Sequence, residues 1–197
     1  RDLIDIAQTD RSLVAKLYKV SRRFVSAKQL ASEPYFVACA KTIMGTESVS
    51  CCHLVNVRFD LPGESKYSLE SHQDFFNSLN QKPDGVICFI GLLGDQKRSE
   101  RDFKVSKNII DSNFTGIVSF INIFSNYFEE KEKGFIIGLS SVAGERGRKS
   151  NYMYGASKAA FTVYLSGLRN RLSSKNIHVM TVKPGFVDTK MTENMNL

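Results

Sequence analysis

At 197 residues with 42% hydrophobic content, the chain is long enough to bury one sizeable core and is read as one domain. No apolar run approaches about 18 residues, so no membrane-spanning helix is expected, and four cysteines without a CxxC spacing plus three scattered histidines argue against zinc. The net charge of +7 comes from 27 Lys/Arg spread along the chain, with no zinc finger or RNP signature, which argues against nucleic acid and favours a phosphate-bearing partner.

The opening stretch RDLIDIAQTDRSLV has no secretory h-region, and with the unpaired cysteines this predicts a reduced, cytoplasmic protein. Short apolar runs then alternate with longer segments of helical period. The runs 3-LIDIA-7, 24-FVSA-27, 54-LVNVRF-59, 85-GVICFI-90, 135-FIIGLS-140 and 178-HVMTV-182 predict strands. Several are apolar without strict alternation, as strands covered on both faces should be. Helices are expected over 12–20, 30–43 (with Pro34 as a break or first turn), 70–80, 102–128 and 152–172. In the last of these, Ala159, Ala160, Val163, Leu165 and Leu168 form the expected apolar stripe. Strands separated by helix-length segments imply a doubly wound parallel α/β sheet with helices on both faces. Ligands of such sheets bind beyond the carboxyl ends of the strands.

The fifth apolar run leaves its carboxyl end as 139-LSSVAG-144, placing two serines where a ligand belongs, and the helix that follows carries 154-YGASK-158. Residues four apart share a helix face, so Tyr154 and Lys158 project into one space. A phenol with a pKa near 10 is a poor proton donor at neutral pH. An ammonium about 4 Å away offers roughly 4 kcal/mol at an effective dielectric of about 20, enough to lower the phenol by about two or three units. A serine hydroxyl beside the same substrate oxygen would orient it and support developing charge. The pair alone is compatible with ordinary packing. Together with Ser141, Asn113 in 113-NFTG-116, and 182-VKPGFVDTKM-191, it fits carbonyl–alcohol interconversion.

In the order and spacing of 138-GLSSVAG-144, YGASK, Asn113 and 184-PGFVDT-189 the sequence resembles the short-chain dehydrogenase/reductase family. The resemblance implies a tetrad of Asn113, Ser141, Tyr154 and Lys158 working with NAD or NADP. Tyr154 would pass the proton and Ser141 would hold the substrate oxygen. Lys158 would lower the phenol pKa and grip the nicotinamide ribose, and Asn113 would anchor a water, while Ser140 would be structural. Asp60 matches the acidic residue at the adenine, and Pro184, Gly185, Val187 and Thr189 match the segment beside the carboxamide. Ile90 and Gly91 replace the family's usual Asn-Asn-Ala-Gly turn, leaving backbone contacts to the cofactor. Dimers or tetramers through 102–128 and 152–172 are implied as well.

The family's glycine-rich turn after the first strand has no counterpart, since the first glycine is Gly45. The expectation is a single dinucleotide domain over 1–197 lacking that turn near residues 5–10, together with the C-terminal substrate helix and last strand. A non-catalytic scaffold of the same fold is the alternative. Cofactor choice is open, with Lys28 leaning slightly toward a 2′-phosphate. The segments 91-GLLGD-95, 140-SSVAGERGRKSNYMYGASKA-159 and 183-KPGFVDTKM-191 resemble the bacterial reductases of decaprenylphosphoryl keto-pentose. This implies a lipid-linked keto-sugar reached by peripheral membrane contact, with Arg146, Arg148 and Lys149 placed to meet a phosphate or acidic sugar. A 3-oxoacyl thioester is the competing substrate.

Overall fold

The computed structural model describes residues 70–80 and 82–185, and the backbone of two further strands, Val37–Thr42 (β1) and Val49–Val55 (β2). The chain continues through helix Glu70–Ser78 (α1), strand Gly85–Cys88 (β3) and the short helix Gln96–Ser99 (α2). Helix Phe103–Ile110 (α3) passes through a π-helical turn, Asp111–Thr115, into helix Gly116–Lys131 (α4). Strand Gly134–Leu139 (β4), a 3₁₀ turn Val142–Gly144, helix Tyr152–Leu172 (α5) and strand Ile177–Val182 (β5) complete it.

The strands form one sheet in the order β2-β1-β3-β4-β5. β3, β4 and β5 pair in parallel, joined by helical crossovers, and their carboxyl ends lie together at one edge of the sheet. This is the α/β architecture that the alternation of apolar runs predicts. β1 departs from it. The helix expected over 30–43 is a strand at Val37–Thr42, antiparallel to both β2 and β3. An apolar run as short as 36-FVACA-40 carries no period that distinguishes helix from strand, and pairing on two sides decides it. The strand expected over 54–59 overlaps Val49–Val55 at Leu54 and Val55, and its other residues lie outside the described residues. The readings at 3–7, 12–20 and 24–27 lie outside the described residues.

The core follows from spacing on two helices. Ile117, Phe120, Ile121, Phe124 and Phe128 make one stripe on α4, and Phe161, Leu165, Leu168 and Leu172 one on α5. Both stripes pack on the face of the sheet that carries Val86, Cys88, Ile136, Ile177 and Val179. Val163, expected in the α5 stripe, is 72% exposed, because it lies about half a turn round the helix from Phe161 and Leu165. Rings clamp α1 to α4: Phe76 meets Phe124 edge-on at 5.2 Å, and Phe75 stacks on Phe120 at 6.0 Å. The opposite face of the sheet carries a smaller group, Ile87 with Phe135 and Ile137.

His72 of α1 is buried in this joint, bonded through Nδ1 to the Ser119 hydroxyl at 3.1 Å and edge-on to Phe120. Burial pushes its pKa down from 6.5 to about 4. Below pH 6.5 the unfolded chain takes up a proton that the folded chain refuses until about pH 4, so stability present at neutral pH is lost as the pH falls through this window. We expect thermal melts between pH 7 and pH 4.5 to show a loss on the order of 3 kcal/mol from this group. His72→Gln, which keeps a partner for Ser119 but does not titrate, should flatten that slope.

Candidate active site

Four side chains meet at the carboxyl ends of β3 and β4. Lys158, one turn along α5 from Tyr154, is 1% exposed, and its Nζ donates to the carbonyls of Ile90 at 2.7 Å and Leu139 at 2.9 Å. It thereby bridges the ends of two neighbouring parallel strands. Asn113 lies in the π-helical turn, is fully buried, and grips a single residue from both sides. Its Oδ1 accepts from the Leu92 N–H at 2.7 Å and its Nδ2 donates to the Leu92 carbonyl at 2.8 Å. A π-turn shifts the side chains after it relative to an unbroken α-helix, and such turns concentrate at functional sites. Here it sets Asn113 opposite the strand β3 exit.

Ser141 leaves β4 in extended conformation, and its Oγ accepts from the Ala143 N–H at 3.1 Å, starting the 3₁₀ turn. Ser140, its neighbour, points the other way. Its hydroxyl donates to the Lys158 carbonyl at 2.9 Å and lies 2.6 Å from the Thr162 hydroxyl, tying β4 to α5. That is the structural role expected for Ser140. The 3₁₀ turn and α5 touch through two glycines. A Cβ on Gly155 would meet the Ala143 carbonyl oxygen at 2.6 Å, and one on Gly144 would meet the Ala159 nitrogen at 2.8 Å. This backbone-on-backbone approach brings Ser141 and Tyr154 within hydrogen-bond reach of each other.

The electrostatics differ from the expected picture of an ammonium acidifying a phenol. Tyr154, 8% exposed, has its pKa raised by burial, and the hydrogen bond with Ser141 pulls it the other way. Lys158 Nζ sits 5.8 Å from the centroid of the tyrosine ring, drawn down to the two strand carbonyls. Burial lowers its own pKa from 10.5 to about 7, opposed by Cys88. An ammonium drawn toward two strand carbonyls and 5.8 Å from the ring centroid has little field to spare for the phenol.

The remaining sequence-derived residues distribute as follows. Ile90 is buried and offers its carbonyl to Lys158, and Gly91 follows it in the same loop. The Pro184 carbonyl accepts from the Val142 N–H at 3.3 Å, fastening the exit of β5 to the 3₁₀ turn, and Gly185 is exposed. Asp60, Val187 and Thr189 lie outside the described residues. Arg146, Arg148 and Lys149 are exposed on the loop between the 3₁₀ turn and α5. Their neighbour Glu145 pairs with the half-buried Lys183 at 2.7 Å, so the loop is pinned to the end of β5.

Several partners escape sequence reasoning. Leu92 matters through its backbone alone, and Thr162 through one hydroxyl. Gln96 accepts from the Met153 N–H at 3.0 Å and so caps α5 from 57 positions away. No local pattern marks any of them. The Glu145–Lys183 pair joins two segments, 144-GERG-147 and 182-VKPG-185, that are conspicuous in sequence only separately.

Residues 66–197 match the short chain dehydrogenase family, and the chain belongs to it. An uncharacterized oxidoreductase of Mycobacterium tuberculosis is 36% identical over 110 residues, which is 56% of this chain and 44% of that one. A 3-oxoacyl-[acyl-carrier-protein] reductase of Synechocystis sp. is 35% identical over 88 residues, 45% of this chain and 36% of that one. The chain therefore spans less than half the length of these relatives. A short chain dehydrogenase from Burkholderia cenocepacia in complex with NADP has the same fold, with a TM-score of 0.59 at 23% identity over 66% of this chain and 54% of that chain. The fold is thus α/β of the Rossmann type. Among the described residues no helix is long and apolar enough to cross a membrane, and no group of three or more His, Cys, Asp or Glu is placed to hold a metal ion.

The glycine contact between the 3₁₀ turn and α5 is open to direct test. Gly155→Val should destabilise the protein by about 1–3 kcal/mol, because backbone rather than a pliable side chain stands in the way of the new Cβ. Denaturant titration would register this as a lower midpoint with an unchanged slope.

Proposed function

We propose that this protein is an NAD(P)H-dependent reductase that converts a carbonyl to an alcohol. Asn113, Ser141, Tyr154 and Lys158 are its catalytic residues. The observation that carries the reading is the convergence of these four residues, from three separate stretches of chain, at the carboxyl ends of adjacent parallel strands.

The residues fit the nicotinamide end of a dinucleotide. Lys158 has three N–H donors and directs two of them to the Ile90 and Leu139 carbonyls, leaving the third for a ribose hydroxyl. The backbone of Ile90 and Gly91 lines the same edge. The bound cofactor would supply a hydride to the substrate carbonyl carbon. Ser141 donates a hydrogen bond to the carbonyl oxygen and fixes its position. Tyr154 donates its phenolic proton to that oxygen as negative charge develops there. Burial raises the phenol and so opposes proton donation, which the Ser141 hydrogen bond and the basicity developing on the substrate oxygen would offset. Asn113, with its side chain committed to Leu92, would serve any water only through its main-chain carbonyl.

The substrate reading is a keto-sugar on a polyprenyl phosphate, supported by the exposed, pinned basic loop bearing Arg146, Arg148 and Lys149. The same basic surface suits a 3-oxoacyl chain on an acidic carrier, and a relative of that activity favours this second substrate class.

Tyr154→Phe should lower kcat by about 10²–10⁴-fold while leaving the melting temperature close to that of the unaltered protein. Full-length protein titrated with NADH and with NADPH should gain melting temperature with at least one of them. A flat response to both at millimolar concentration would move the weight to a scaffold.

A further inference from the structure

The stretch of chain that leaves β3 and runs into α2 touches three of the four residues placed at the site. The Ile90 carbonyl accepts from Lys158 Nζ, and Leu92 is held through both of its backbone groups by Asn113. Leu92 and Leu93 pack against the cluster of Ile109, Ala143 and Tyr154. Gly94 then turns the chain at a φ of 68°, and Asp95 opens α2 by accepting from the Arg98 N–H at 3.1 Å. The first side chain of α2, Gln96, crosses to α5.

Gln96 Oε1 accepts from the Met153 N–H at 3.0 Å. Its Nε2 donates within its own neighbourhood, to the Ser99 hydroxyl oxygen at 3.3 Å and to the Glu100 carboxylate at 3.5 Å. A donor on one side and acceptors on the other set which way the amide is turned. The bond matters because of where Met153 stands. The first N–H groups of a helix have no acceptor within the helix. α5 begins at Tyr152, so Met153 and Tyr154 both belong to that first turn, and Asn151 at the N-cap makes no side-chain bond to it. Gln96 supplies the cap that Asn151 does not, on the residue next to Tyr154. A helix end that loses its cap frays, and fraying at this end displaces the phenol.

We propose that Gln96 is a positioning residue for the reduction: its Oε1, by capping the first turn of α5 through the Met153 N–H, holds the Tyr154 phenol in line with Ser141 and with the substrate oxygen that the two share. This rests on the carbonyl-reduction reading and deepens it with a residue that acts through another. Because Ile90 and Leu92 belong to the same stretch, the segment 90–96 sets Lys158, Asn113 and Tyr154 in one frame. Displacement of a reacting group by as little as about 1 Å is costly to turnover, whereas ligand binding tolerates it better.

Three variants of the full-length protein test the role. Gln96→Met keeps the length and the apolar stem but removes the acceptor, Gln96→Glu restores an acceptor oxygen, and Glu100→Ala removes a partner of Nε2 while sparing Oε1. Two readouts are taken: backbone amide exchange along α5, and reduction of 9,10-phenanthrenequinone and of 2-methylcyclohexanone with the preferred nicotinamide cofactor. In Gln96→Met the amides of Met153 and Tyr154 should exchange at least about tenfold faster, with those of 160–172 unchanged. In the same variant kcat should fall about tenfold, while KM for carbonyl compound and cofactor stays within about twofold. Gln96→Glu should return kcat to within about threefold of the unaltered protein, and Glu100→Ala should leave both readouts as they were. Unchanged exchange in Gln96→Met, an undiminished kcat despite faster exchange, or a loss that Gln96→Glu does not recover would overturn the positioning role and leave the reductase reading intact. An unaltered protein that reduces neither compound would instead overturn the reductase reading, and this inference with it.

Discussion

The interaction on which the site depends is the insertion of the Lys158 ammonium between the carbonyls of Ile90 and Leu139. Parallel strands that end side by side leave carbonyl oxygens pointing past the sheet edge, and something must meet them. A lysine from the covering helix does so and fixes three elements, β3, β4 and α5, relative to one another. Burying it is expensive, as the fall of its pKa to about 7 records, and two hydrogen bonds to neutral carbonyls offset only part of that cost.

Around this clamp, side chains divide by whether their hydrogen-bonding capacity is filled within the protein. Ser140, Thr162, Asn113 and Gln96 are committed to internal partners and hold the backbone in place. The Tyr154 and Ser141 hydroxyls and the third N–H of the Lys158 ammonium retain capacity. Supporting residues are rigid and spent, while the residues facing the ligand are held in position with bonds still to make. That division is how a protein keeps reacting groups preorganised before a substrate arrives.

The phenol illustrates why proximity in sequence is a poor guide to charge. Spacing of four residues correctly places Tyr154 and Lys158 on one helix face, yet the ammonium is drawn toward the strand carbonyls and the phenol is raised. A raised phenol is a weaker acid, so proton donation relies on the Ser141 hydrogen bond and on the basicity of the oxygen that receives the proton. A ribose hydroxyl on the third N–H of Lys158 would add a further partner for the charged lysine and so favour its protonated state.

Much of the architecture was legible in sequence because it rests on periodicity. The runs at 85–90, 135–140 and 178–182 became β3, β4 and β5, and the 152–172 segment became α5 with the bounds expected of it. Tyr154 and Lys158 were legible as a pair, because a spacing of four puts them on one face of α5, while Ser141 and Asn113 joined them through the resemblance to the family's order of motifs. The strand at Val37–Thr42 was hidden, since a short apolar stretch such as 36-FVACA-40 is committed only by pairing on both sides. Equally hidden were the partners that act through backbone or at long range: Leu92 for Asn113, Gln96 for α5, Lys183 for Glu145. Sequence determined which chemical groups each element carries and which face they share. Only the tertiary structure decided where each donor and acceptor is spent, because hydrogen bonds and pKa values are set by atoms within a few ångströms, whatever their separation along the chain.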